Sequence, residues 1–195
     1  MDFGEPFGGL IPGARGAALA VLLRTGAPLT GRRVHALIAD RHSLGAVQQA
    51  LRDLDRLGLI RTEVVGRAGV HRINEDHAAI APLRSLASPI EMLTHVVEEV
   101  VRDVGAVLVF GSVARGDAHA DSDVDLAVIA PATWDGRVEL QQAVQERLGN
   151  GCDVLHLTGD HFKLAPEDRE PVVSEILRDG IALIGTMPRH GRVAQ

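Results

Sequence analysis

The stretch that most constrains this chain is Phe110-Gly111-Ser112-Val113-Ala114-Arg115-Gly116-Asp117, followed by Ser122-Asp123-Val124-Asp125-Leu126. The apolar run 106–110 predicts a strand that ends in a Gly-Ser turn, and 124–130 predicts a second strand. Side chains two apart on a strand share a face, so Asp123 and Asp125 converge on one spot. That spot lies close to the Gly-Ser turn if the two strands are neighbours. Asp153 opens a third predicted strand, 153–157, and its carboxylate would join them. Three carboxylates can hold the pair of Mg²⁺ ions used for in-line phosphoryl or nucleotidyl displacement. Mg²⁺ takes hard oxygen ligands and keeps several waters, so a few carboxylates plus a triphosphate suffice.

Gly111 and Ser112 would form the phosphate cradle. Glycine lets a phosphate approach the backbone, and Ser112 adds a hydroxyl. Arg115 either neutralises phosphate charge or pairs with a local carboxylate. A lone Asp-x-Asp is weak, since such residues commonly cap turns. Here Gly-Ser is followed by ten intervening residues, then Asp-x-Asp, then a strand-borne Asp about thirty residues on. That combination is far more specific.

Charge is divided unevenly. Residues 14–75 carry ten Arg against five Asp and Glu, whereas the whole chain of 195 residues has a net charge of −6. A basic half beside an acidic half predicts two modules with different partners. The single cysteine, Cys152, excludes an intrachain disulfide. The chain start lacks the basic segment of a signal peptide, and the apolar run 17–23 is too short to span a bilayer. A soluble, cytoplasmic protein with no membrane partner is therefore expected.

Within residues 14–80 the pattern is three helices and a hairpin. Ala18, Val21 and Leu22 mark the first helix, which stops at Gly26 and Pro28. Thr30 should cap a second, with Val34, Leu37 and Ile38 inward. Ser43 should cap a third, with Leu44, Val47, Leu51 and Leu54 buried. Segments 59–65 and 70–73 flank a Gly-bounded basic tip, 66–69. This is the order of a winged helix-turn-helix, whose third helix reads duplex DNA. Gln48, Gln49 and Arg52 would face base edges or phosphates, and Arg67 would reach from the hairpin tip. Reading paired half-sites would favour a homodimer. The alternative is that these polar side chains merely solvate a surface.

A boundary is expected at Ala81-Pro82. Ser88-Pro89-Ile90-Glu91 then predicts a capped helix to about Asp103, with Ile90, Leu93, Val97 and Val100 or Val101 buried. Segment 135–148 predicts an amphipathic helix with Val138, Leu140, Val144 and Leu148 inward. Segment 166–179 predicts a last helix, and 181–184 a last strand. The fold class is α/β (α+β): an N-terminal winged helix-turn-helix at 14–80 and a small mixed-sheet domain at 88–186.

Residues 88–186 resemble the DNA polymerase β-type nucleotidyltransferases, in their minimal nucleotidyltransferase (MNT) branch. The Gly-Ser turn, the Arg-Gly pair, Ser122-Asp123-Val124-Asp125-Leu126, Asp153-Val154-Leu155 and the ending 175–181 carry the resemblance. It implies Asp123, Asp125 and Asp153 as a catalytic metal triad for Mg²⁺, and Gly111 and Ser112 as contacts to ATP or another NTP. It also implies a nucleotidyltransferase, since some MNT proteins are antitoxins that adenylylate a HEPN-type toxin. Residues 14–80 resemble the winged helices fused to such domains. AMP transfer to a macromolecular hydroxyl, coupled to DNA binding, is thus the leading expectation. A transcription regulator that senses nucleotide without turnover is second. An antibiotic nucleotidyltransferase ranks last, because little chain follows Asp153. The chain has no tyrosine, so any self-modification must fall on another residue type.

The remaining candidates are weaker. His156 and His161 lack a cysteine pair for zinc. His119 is expected to be a solvated loop residue, Cys152 a packed thiol and Trp134 a core or rim residue.

Overall fold

The computed structural model describes residues 1–162 and 170–188. The chain forms two units: Glu5–Pro89, and Ile90 onward together with Met1–Gly4. Each has one small sheet, so the class is α+β. No described helix is long and apolar enough to cross a membrane.

In the first unit, α1 (Gly13–Thr25) is buried almost all round, from Gly16 to Leu23. It therefore forms the core rather than covering it. Helix α2 (Gly31–Ala36) is capped by Thr30, whose side chain accepts from the Arg33 amide, and α3 (Leu44–Arg56) is capped by Ser43, which accepts from Ala46. Both caps satisfy amides that have no partner inside the helix. Val47, Ala50, Leu51 and Leu54 of α3 pack on α1 and Val34. Burial of Val47, Leu51 and Leu54 contributes about 1.5–3 kcal/mol for each side chain. Leu37 was expected inward but is 48% exposed, because α2 ends one residue before it. Strands β2 (Ile60–Val65) and β3 (Ala68–Ile73) form a hairpin whose turn is Gly66-Arg67. Gly66 has φ +64°, which suits glycine.

Two elements here escaped the sequence pattern. Strand β1 (Leu29–Thr30) adds to the edge of β3. Helix α4 (Ile80–Leu86) runs through the expected boundary at Ala81-Pro82. Pro82 lies in the first turn, where the missing N–H has no helical acceptor to lose. Ile80 of α4 belongs to the same core.

The second unit has one four-stranded sheet. Strands β4 (Ala106–Phe110) and β5 (Val124–Ile129) are antiparallel, as are β4 and β7 (Ile181–Ile184). Strand β6 (Cys152–Leu157) runs parallel to β5. A parallel pair needs a crossover, supplied by α7 (Arg137–Leu148). Alternation along the strands builds two cores. Val107, Val109, Leu126 and Val128 face α5 (Pro89–Val100) and α7 through Leu93, Val97, Leu140 and Val144. Ala106, Leu108 and Ala127 face Val173 and Ile176 of α8 (Pro171–Asp179). A sheet covered on both faces reads as unbroken apolar runs. Val138 was expected inward on α7 but is 61% exposed. Of the expected last helix, 171–179 is present, and 166–169 lies outside the described residues.

Candidate active site and nucleic-acid surface

The motif residues meet where β4 ends and β5 and β6 begin. Phe110 stands opposite Asp125 in the antiparallel pair, and Asp125 stands beside Asp153 in the parallel pair. Asp123 is two residues before Asp125, immediately ahead of β5. Gly111, at φ +65°, turns β4 into the short helix α6 (Gly111–Arg115). A Cβ on Gly111 would collide with Oδ2 of Asp125. The turn and the carboxylate therefore occupy one small volume.

Asp125 is half-buried, while Asp123 and Asp153 are exposed. Burial raises the Asp125 carboxyl above its ordinary value, and repulsion from Asp153, Asp123 and Glu175 raises it further. Arg115 opposes this. The same surroundings push the Cys152 thiol up to about 12, by burial first and then by Asp153, Asp125 and Asp123. Cys152 packs, partly buried, against the core, as expected of it, and this site keeps its thiol protonated.

Arg115 is engaged by carboxylates. Nη1 donates to Glu175 at 2.7 Å, and Nε donates to Asp117 at 3.4 Å. Desolvation works against its charge, but Asp117 and Glu175 outweigh it and raise its pKa. Glu175, on α8, opens the motif ending 175–181 but carries no site role in the sequence reading. Its position sixty residues from Arg115 leaves no local signal.

A divalent cation fits the chemistry of this donor set. The carboxylate oxygens are hard ligands, and their mutual repulsion at Asp125 is what a cation relieves. Among the described residues, no three or more His, Cys, Asp or Glu side chains are grouped so as to hold a metal ion. Part of the cation's shell would have to come from water and triphosphate oxygens.

The other candidates lie elsewhere or are otherwise occupied. His156 lies near the end of β6, 3.4 Å from the Ala130 carbonyl, and His161 lies beyond the strand in a 3-10 turn, held by Thr158. Trp134 meets His156 edge-on, with ring centroids 5.2 Å apart. His119 is an exposed loop residue whose amide donates to Ser122 Oγ.

In the first unit, Gln48, Arg52 and Arg67 line one cavity of about 570 Å³, together with Arg32, Gly69 and His71. Gln49 lies beside it with both ends of its amide engaged. Its Oε1 accepts from Arg52 Nη2 at 2.6 Å, and its Nε2 donates to Asp53 at 3.0 Å. Arg32 and His71 were missed in the sequence, since only the hairpin's return brings β3 beside α2. Thr62 donates to Asp55 at 2.8 Å and lies 3.0 Å from His71 Nδ1. Burial lowers the His71 pKa, and Asp55 partly restores it.

Residues 91–186 match the family model for polymerase beta nucleotidyltransferases. The matched stretch contains the whole four-stranded sheet and all three aspartates. No curated protein matches the chain. Solved structures with similarity include a toxin-antitoxin with AMP-PNP, at 23% identity and TM-score 0.39, covering 50% of this chain and 74% of that one. Another is a tri-AMPylated Shewanella oneidensis HEPN toxin in complex with MNT antitoxin, at 22% identity and TM-score 0.35, covering 50% and 70%. A third is TrmBL2, an archaeal chromatin protein, at 13% identity and TM-score 0.30, covering 75% and 63%.

Proposed function

We propose that the second unit transfers a nucleoside monophosphate, AMP in the leading case, from an NTP to a hydroxyl of a macromolecule. The carrying observation is the register of Asp125 beside Asp153, with Asp123 just ahead of the same strand and Gly111 packed against Asp125. Asp123, Asp125 and Asp153 would hold Mg²⁺. When bound, it would neutralise the triphosphate and activate the acceptor oxygen. Gly111 leaves room for phosphate at the backbone, and Ser112 offers it a hydroxyl. The acceptor oxygen bonds to the α-phosphorus, and the bond from that phosphorus to the bridging oxygen breaks, so pyrophosphate leaves. Asp153, exposed at the strand edge, takes the acceptor's proton. By the MNT resemblance, the acceptor is a HEPN-type toxin.

The first unit, in the same proposal, is a winged helix-turn-helix that binds duplex DNA. The clustering of Gln48, Arg52 and Arg67 around one cavity supports this reading. Nucleotide sensing without turnover is the second reading.

Pyrophosphate release from each of the four NTPs with Mg²⁺ tests both. The wild type and the Asp123→Asn/Asp125→Asn double variant would be compared, with and without the product of the neighbouring gene. Release by the wild type only, increased by that product, is expected. Mg²⁺–NTP binding that alters DNA affinity without release would support sensing instead.

A further inference from the structure

Asp123 precedes β5, so no strand pairing of its own holds it. The dipeptide Asn150-Gly151, between α7 and β6, does so from outside. Asn150 is 2% exposed, and among the described residues it is the buried polar side chain. Its Nδ2 donates to the carbonyls of Ser122 and Met1, both at 3.0 Å, and approaches that of Ala120 at 3.4 Å. Its Oδ1 accepts from the Met1 nitrogen at 2.7 Å. Carbonyls surround the nitrogen and a donor faces the oxygen, so only this orientation of the amide satisfies its neighbours.

The Ser122 carbonyl belongs to the peptide unit entering Asp123. The unit leaving Asp123 is also gripped: the Val124 N–H donates to the Gly151 carbonyl at 2.9 Å. Both peptide planes flanking Asp123 therefore hydrogen-bond to one dipeptide. Gly151 adds a third constraint, because a Cβ there would collide with Oδ1 of Asp123. The carboxylate lies against a bare Cα that any other residue would cover.

We propose that Asn150 and Gly151 are positioning residues that set the Asp123 carboxylate in register with Asp125 and Asp153. This rests on the nucleotidyltransfer reading of that site. Asn150 fixes the backbone on which Asp123 rides, and Gly151 fixes the space its carboxylate occupies. Neither touches the reacting atoms.

The test is ATP affinity of the full chain, measured by isothermal titration across a Mg²⁺ series, alongside thermal unfolding. Gly151→Ala is the decisive variant. Gly151 is exposed and its φ lies outside the left-handed range, so the backbone accepts alanine. It should unfold at the wild-type temperature yet need about ten- to a hundredfold more Mg²⁺ to bind ATP, the range typical when a metal ligand loses an outer partner. Asn150→Asp, which turns the donor into an acceptor facing the Ser122 carbonyl, should do the same with a lower unfolding temperature. If it fails to fold, Gly151→Ala still decides. A Mg²⁺-responsive wild type with an equally responsive Gly151→Ala overturns the positioning role alone. A wild type whose ATP affinity ignores Mg²⁺ overturns the nucleotidyltransfer reading and this inference together.

Discussion

The Asp125 carboxylate lies against the Cα of Gly111, where a single methyl group would collide with Oδ2. Gly111 also has φ +65°. Substituting alanine thus imposes both a clash and a left-handed backbone on a side chain that resists it. Gly111→Ala should cost about 1–3 kcal/mol of stability. It should also lower pyrophosphate release by more than the stability loss explains, since Asp125 must move. Thermal unfolding and turnover measured on the same preparation check this.

Removing the Asp125 charge separates stability from activity. Its pKa is raised in the fold, so the folded state holds its proton more tightly than the unfolded chain. The ionised carboxylate therefore destabilises the fold at neutral pH, and this penalty disappears as pH falls below the ordinary value of 3.8. Asp125→Asn should match or exceed the wild type in denaturant resistance at pH 7 in EDTA, while its pyrophosphate release is abolished. A clear loss of stability at pH 7 would contradict the repulsion.

His71 predicts the opposite acid response in the first unit. Burial lowers its pKa below 6.5, so the fold favours the neutral ring. That stability is present above 6.5 and is lost as pH falls through the folded value. The wild type should weaken relative to His71→Gln on acidification from neutral pH towards pH 5. Urea unfolding followed by a probe placed in the first unit measures the difference.

DNA affinity should report the arginines of the cavity. Arg67→Ala and Arg32→Ala should each weaken duplex binding across sequences and reduce the salt slope by about 0.9 for each phosphate no longer neutralised. Gln49→Ala should weaken binding through Arg52, whose guanidinium it holds. A double variant with Arg52→Ala should then add little beyond Arg52→Ala alone. Fluorescence anisotropy at several salt concentrations gives all three results.

Several elements were legible because their signals are local. Strand β4 spans 106–110 and β7 spans 181–184, as the apolar runs predicted. Thr30 and Ser43 cap the helices they precede, since a cap needs only an amide three residues on. The Asp123–Asp125 pair was likewise visible, because the two residues are only two positions apart. Val138 and Leu37 misled for a related reason: helical spacing names a stripe, but the neighbour that covers it sets its width and end.

Local sequence was enough for every strand but the two-residue β1, for the helix caps, and for the Gly-Ser and Asp-x-Asp motif, all of which depend on residues a few positions apart. Which strands are neighbours, and hence that Asp153 stands beside Asp125, came only from the folded chain. It alone brought Glu175 to Arg115, β3 beside β1, and Asn150 beneath the loop entering Asp123. Those pairings join residues 28 to 60 positions apart. They form when buried apolar faces and backbone hydrogen bonds are satisfied together across the whole unit, a condition no local pattern encodes.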